Sequence, residues 1–302
     1  MPNMWLYLFN FIFKMKKMLE DLQKHLNRLM NGQNNRPVPE FEGYSPAEMH
    51  SILHFTFEPS SPISLQKLDA ADYRKIPLLN QVKYLATLIE DKGELKLTKL
   101  GFLPLNVVAD IYDLGLIKDK YFELRSAKQL READVPAITL SRILLIISGL
   151  VKKRSNKLSL TKQGQKIIQN DDALTRLIIR TYGEKFNWAF FDGFGENGIG
   201  QIGFGFSLIL LSRYGHEWQR NSFYGQKYFK AFPDLLNVPD PPYSNRIVDC
   251  ENCFSYRVFE NFMRYFGLVE VKYEGELWKN NLSVLKTDLF DKLISVEMPK
   301  QV

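Results

Sequence analysis

A short grammar recurs along this chain: an apolar helix, a charged turn, alternating strand residues, then Leu-Thr-x-x-Gly. The first copy runs from Tyr84 through Gly93 to Leu97-Thr98-Lys99-Leu100-Gly101. The second runs from Ile143 through Gly149-Leu150-Val151 to Leu160-Thr161-Lys162-Gln163-Gly164. A looser third copy, Phe266-Gly267-Leu268-Val269 to Leu285-Lys286-Thr287, lies near the C-terminus. Helical apolar spacing that gives way to two-residue alternation describes a helix feeding a hairpin, and Thr is well suited to cap the helix that returns. No βαβ series is visible, so the chain reads as mainly α with short β-hairpins.

The remaining residues fit that frame. Ser45-Pro46-Ala47-Glu48 is a capping box with proline at the first helical position, and Met49, Ile52 and Leu53 give the inward face. Leu78, Val82, Leu85 and Ile89 mark a helix over 78–89, and Leu95 and Leu97 are the inward residues of a strand. Pro104 opens a helix carrying Val108, Ile111 and Leu114 inward. Pro136 precedes a helix over 138–148, a hairpin over 151–160, and a helix capped by Thr161 that bears Ile167 and Ile168. A helix over 173–182 then leads into an aromatic, glycine-rich tract: Phe186, Trp188, Phe190, Phe191 and Phe194 with Gly193, Gly195, Gly198, Gly200, Gly203 and Gly205. The charge-free stretch 197–212 predicts a helix buried on all sides. Helices over 222–232 and 248–266, a proline-rich loop over 233–243, and a last unit over 269–294 complete the chain.

The expected architecture is two or three winged-helix-like units around an aromatic helical centre. Its divisions are an N-terminal helical arm and linker (1–39), a first unit (40–135), a second unit with the aromatic and glycine-rich extension (136–240), and a C-terminal helix with a third hairpin-containing unit (241–302). In the arm, Leu19, Leu22, Leu26 and Leu29 form one apolar stripe opposite Lys24, His25 and Arg28, ending at Asn31-Gly32.

With 302 residues, 45 % hydrophobic and 25 % charged, the composition is that of a soluble globular protein, and a net charge of +6 permits nucleic-acid contact without demanding it. Two cysteines and no cleavable signal point to a reducing cytoplasm. The apolar run Trp5–Phe13, followed by Lys14, Lys16 and Lys17, falls short of the ~20 residues a spanning helix needs. Two readings of it remain: contact with a membrane surface, or an extension preceding a start at Met15 or Met18.

Taken together, Ser45-Pro46-x-x-Met49, Leu95-Lys96-Leu97-Thr98-x-x-Gly101-x-Leu103-Pro104, Gly149-Leu150-Val151…Leu158-x-Leu160-Thr161-x-x-Gly164 and Phe186-Asn187-Trp188-Ala189-x-Phe191-Asp192-Gly193 resemble an uncharacterised family of bacterial cytoplasmic proteins. The resemblance extends over most of 40–295 and implies no catalytic residue. The stretch from Gly149 to Gly164 is also similar to the wing region of MarR-type regulators.

Two places suggest a site. Lys152, Lys153, Arg154, Lys157, Lys162 and Lys166 lie close together with no acidic residue among them, a set suited to phosphate contacts. The neighbouring helix, Ile138 to Ser148, is apolar apart from Thr139, Ser141, Arg142 and Ser148 and has little to present to base edges, so sequence-specific reading is not expected. The second place is a pocket near Trp188, Asp192 and Glu196, within the aromatic tract.

Other motifs carry less. Gly193-Phe194-Gly195-Glu196-Asn197-Gly198 matches GxGxxG but lacks the strand–helix setting of a dinucleotide site. Cys250-Glu251-Asn252-Cys253 has no second ligand pair for zinc. Redox use would need Cys250 at a helix start capped by Asp249, and inert buried cysteines are the expectation. His50 and His54 share a helix face without a third ligand. No cofactor or metal is expected.

The leading functional expectation is a non-enzymatic binding protein with a protein partner. The second is a nucleic-acid-binding regulator using the wing over 152–157. The third is an enzyme or ligand-binding protein with the pocket near Trp188 and Asp192.

Overall fold

The computed structural model of the chain describes residues 4–118, 130–190, 192–240, 245–274 and 282–300, with the backbone alone for 4–12. The protein is mainly α-helical with small antiparallel sheets. Helix α1 (Met4–Asn34) runs past the expected stop at Asn31-Gly32. A tight turn joins it to α2 (Pro46–His54), where the capping box forms: the Ser45 hydroxyl accepts from the Glu48 amide at 3.3 Å, and the Glu48 carboxylate accepts from the Ser45 amide at 2.8 Å. Strand β1 (Ile63–Leu65) and the single turn α3 (Ala70–Tyr73) follow.

The next seven elements form one assembly. They are α4 (Pro77–Asp91), β2 (Leu95–Lys96), α5 (Leu105–Asp113), α6 (Pro136–Ile147), β3 (Val151–Arg154), β4 (Lys157–Leu160) and α7 (Lys162–Ile167). Ser155 and Asn156 both take positive φ, 47° and 58°, as a two-residue type I′ hairpin requires. The sheet order is β2-β4-β3, with Leu95 opposite Leu158. The first and second copies of the grammar therefore share one sheet instead of building a hairpin each. A two-residue strand cannot stand alone, and pairing with β4 buries Leu95 and Leu158 together.

After α8 (Asp171–Arg180) and a π-helical turn over Thr181–Lys185, the same order returns. It comprises α9 (Phe204–Tyr214), β5 (Gln219–Arg220), α10 (Asn221–Ala231), α11 (Arg246–Ser255) continuing as a π-helix over Tyr256–Met263, then β6 (Val269–Tyr273), β7 (Leu282–Lys286) and α12 (Asp288–Leu293). Here the sheet order is β5-β7-β6, again with the first strand outside the last. The described residues thus hold two assemblies of this kind, not three, and the expected boundaries at 135/136 and 240/241 each fall inside one. The reason is non-local pairing: β2 and β5 belong to sheets completed far downstream. Strand β8 (Ile294–Val296) returns to β1, with Ile63 opposite Val296.

Aromatic rings pack the segment after α8 against the second assembly. Trp188 stacks on Phe262 at 5.0 Å, and Tyr182 meets Phe262 at 5.4 Å and Phe266 at 6.2 Å. Two sequence expectations shift here. Helix α9 starts only at Phe204, the residues from Asn197 to Gly203 forming turns, although Phe204 to Leu211 are fully buried as expected. Leu114 lies just past the end of α5 and is exposed. Phe191 of the aromatic tract lies outside the described residues.

Candidate functional site

The six expected cations, Lys152, Lys153, Arg154, Lys157, Lys162 and Lys166, are all exposed on the hairpin β3–β4 and helix α7; Lys152, Arg154 and Lys157 share one face of the hairpin, and Lys153 lies on the other, towards Gly101. Acidic residues reach it as well. Lys157 Nζ pairs with Glu94 Oε2 at 2.6 Å, and this hydrogen bond, helped by the charges of Lys157 and Lys152, holds the Glu94 carboxyl below its ordinary value. The turn over 98–101 packs beside the hairpin, with Asn156 Nδ2 donating to the Thr98 carbonyl at 2.5 Å. It presents Leu100, 84 % exposed, with Phe102 and Leu105 exposed nearby, so an apolar edge borders the cations.

The third helix of each assembly is largely covered by the chain, α11 leaving its first turn, Arg246 to Val248, exposed. On α6, Thr139 and Ser141 are buried, and Arg142 pairs with buried Glu132 at 2.6 Å. The polar residues that could have faced outward are thereby used internally. Gln81 of α4 crosses to α6, donating to Ser141 Oγ at 2.8 Å and the Ala137 carbonyl at 2.9 Å. On α11 and its π-helical continuation, no residue from Asp249 to Met263 is exposed.

The second candidate is a cavity of about 540 Å³ between the glycine-rich loop at 193–199, the segment Val238–Asp240, and α11. Glu196 lines it. Asp192 lies behind the wall, paired with Arg257, both almost wholly buried. Arg257 uses its other nitrogens to stitch the loop, donating to the carbonyls of Gly195 (3.1 Å), Asn197 (2.9 Å) and Ile199 (3.0 Å) and to Asn197 Oδ1 (2.7 Å). Asp192 is thus spent on holding the wall. Trp188 is not on the wall; it is packed in the aromatic centre, its indole N–H donating to the Tyr182 carbonyl at 2.8 Å. Of the three expected pocket residues, one lines the cavity, one supports it, and one lies apart.

Sequence reasoning missed Cys250 and Cys253 as cavity residues, and Arg257 as the loop's organiser. A signal existed for Arg257: it is a charge set among Phe254, Val258 and Phe259 of its helix, as Asp192 is set in the aromatic tract. The cap of α11 is Asn245, whose side chain accepts from the Ile247 amide at 2.8 Å; Asp249 lies inside the helix. Burial pushes the Cys253 thiol up to about 12 and raises Cys250 too, so both stay protonated and are poor nucleophiles. The literal GxGxxG is a loop held by Arg257, and among the described residues a 3-10 helical turn over Trp188–Phe190, not a strand, comes before it. His50 and His54 are exposed, their ring centroids 4.7 Å apart. Among the described residues, no group of three or more His, Cys, Asp or Glu is placed to hold a metal ion. None of the described helices is long and apolar enough to cross a membrane.

Residues 74–173 match the family model of the Y4jL N-terminal domain. The matched stretch contains the first assembly, including the motifs from Leu95 to Pro104 and from Gly149 to Gly164, in keeping with resemblance to an uncharacterised family. The motifs at Ser45–Met49 and Phe186–Gly193 lie outside it. No curated protein and no solved structure matches the chain.

Proposed function

We propose that this is a non-enzymatic binding protein, built on two winged-helix-like units that present their edges and hairpins to a protein partner. The order helix, strand, helix, helix, hairpin, with the first strand outside the last, supports the winged-helix reading of both assemblies. One observation carries the choice of partner. In a DNA-reading unit the third helix enters the major groove and offers polar side chains to base edges. Here α6 exposes no polar side chain, and Arg142 is committed to Glu132. Outward on the first unit lie an apolar edge, Leu100, Phe102 and Leu105, and the hairpin cations Lys152, Lys153 and Arg154. That chemistry suits a segment carrying apolar and acidic residues.

The runner-up is a nucleic-acid-binding regulator, favoured by the six clustered cations and by the similarity of the hairpin to MarR-type wings. Such contact would reach phosphates alone. A bacterial source and a cytoplasmic setting belong to the same proposal, and two free thiols suit a reducing compartment. The cavity supports an enzyme less well, because its thiols are protonated and Asp192 is held by Arg257.

The test is binding of the full chain to random duplex and single-stranded nucleic acid across a salt series. The expected result is no measurable binding near physiological salt. Tight, sequence-selective binding would overturn the proposal in favour of the regulator.

A further inference from the structure

Helix α1 leaves an apolar stripe without cover. Met15, Met18, Leu19, Leu22, Leu26, Leu29 and Met30 are each between 40 % and 59 % exposed. The stripe has a definite period. Trp5, Leu8, Ile12, Met15, Leu19, Leu22, Leu26 and Leu29 are spaced alternately three and four residues apart without a break. Asn10, Lys17, Lys24 and Asn31 fall on the opposite side. An apolar seam repeating every 3.5 residues stays on one side of a helix only if the helix supercoils around another, because a straight helix drifts about 20° per heptad.

We propose that α1 forms a two-stranded coiled coil with the α1 of a second copy of this chain. An identical helix supplies the same repeat over the same length, and twofold pairing is the commonest way for a soluble chain to cover a self-matching face. The area is sufficient. Seven half-exposed side chains of this size carry on the order of 700 Å² per helix, close to each partner's share of a standard stable interface. The α-helix next in length, α4, instead turns its apolar face into its own unit, with Leu78, Val82, Leu85 and Ile89 buried. This inference is independent of what the two units bind.

Sedimentation equilibrium of the full chain tests it. The wild type is expected at twice the mass of one chain at micromolar concentrations. The seam variant Leu22→Glu/Leu26→Glu should fall to the mass of one chain, with cooperative melting of the body retained. The outer-face variant Lys17→Ala/Lys24→Ala should remain at twice the mass. If the glutamates disrupt folding, Leu22→Ala/Leu26→Ala gives the same readout as at least a tenfold rise in the dimer Kd. A monomeric wild type, or a dimer unaffected by the seam variants, would overturn the proposal. A monomer that floats with mixed phosphatidylcholine and phosphatidylglycerol vesicles would overturn it in favour of a lipid surface.

Discussion

Thr161 and Thr287 make the same contacts at equivalent places in the two units. Each donates its hydroxyl to the carbonyl of the glycine that follows the third helix, Gly149 at 2.9 Å and Gly267 at 2.7 Å. The same oxygen accepts from the amide three residues on, Gly164 at 2.9 Å and Phe290 at 3.3 Å. Their backbone amides donate to the carbonyls of Leu150 and Leu268, at 2.9 and 3.0 Å. One residue therefore ties three things: the end of the third helix, the close of the hairpin, and the start of the next helix.

Thr161→Ala and Thr287→Ala should each cost about 1–2 kcal/mol, because each removes a helix cap and a hydroxyl donor together. The sites share no partner, so the double variant should lose the sum of the two. Thr→Ser should recover most of the loss. Urea unfolding reads all of these, and an unchanged midpoint in both alanine variants would mean the clasp is redundant.

The clasps were legible because their signals are local: a glycine, an alternating run, a Thr. What the letters meant was not always legible. Gly164 and Gly101 both close Leu-Thr-x-x-Gly, yet they are glycines for different reasons. A Cβ at Gly164 would lie 2.1 Å from the Leu150 carbonyl oxygen, so the backbone of the hairpin forbids one. Gly101 instead takes φ 83° in a turn, and Thr98 Oγ1 accepts from the Phe102 amide at 3.1 Å without starting a helix. Only packing between distant segments separates these cases. The same holds for β2, whose partner lies on β4, and for the cavity, where Asp192 and Glu196 were readable but Arg257 belongs to a distant helix. The buried third helix was readable, since Ile138 to Ile147 offers so few polar residues.

Removing Arg257 should be among the most damaging single changes. Arg257→Met leaves Asp192 buried without its cation and releases the carbonyls of Gly195, Asn197 and Ile199. The expected loss is about 3–5 kcal/mol, the range for breaking a buried pair from one side. Hydrogen exchange of the amides over 193–199 should rise more than that of the first unit's hairpin. A loss under about 1 kcal/mol, no more than a typical net hydrogen bond, with the loop still protected, would show that the glycine-rich turns hold themselves.

Glu42 should give the chain an acid-sensitive joint. Its carboxylate accepts from Lys227 Nζ at 2.9 Å, Tyr214 Oη at 2.6 Å and Arg213 at 3.2 Å, tying the segment after α1 to α9 and α10. Burial pushes its pKa up, but these hydrogen bonds and the two positive charges outweigh burial and hold it below the ordinary carboxylate value. A folded-state pKa below the unfolded one means stability that is present above the unfolded value and lost as pH falls through the folded value. Glu42→Gln should therefore cost about 1–3 kcal/mol at neutral pH, and the gap to wild type should close as pH falls below about 4. Urea midpoints taken stepwise from neutral to acid check this. A gap that does not change with pH would assign the loss to packing instead of charge.

The wing variant separates the two leading readings most sharply. Lys152, Lys153 and Arg154 are exposed, so replacing all three with Ala should leave the melting transition of the body nearly unchanged. Near physiological salt, the wild type itself is expected to bind neither duplex nor single strands measurably, because α6 beside the hairpin has no exposed polar side chain to add to phosphate binding. At low salt any residual binding should weaken equally across sequences in the variant. The slope of log K against log salt should flatten by about 0.9 for each duplex phosphate that the variant no longer neutralises. If the wild type instead bound one duplex tightly at physiological salt and the triple variant abolished that preference, the hairpin would be a recognition element. The regulator reading would then replace the protein-binding one.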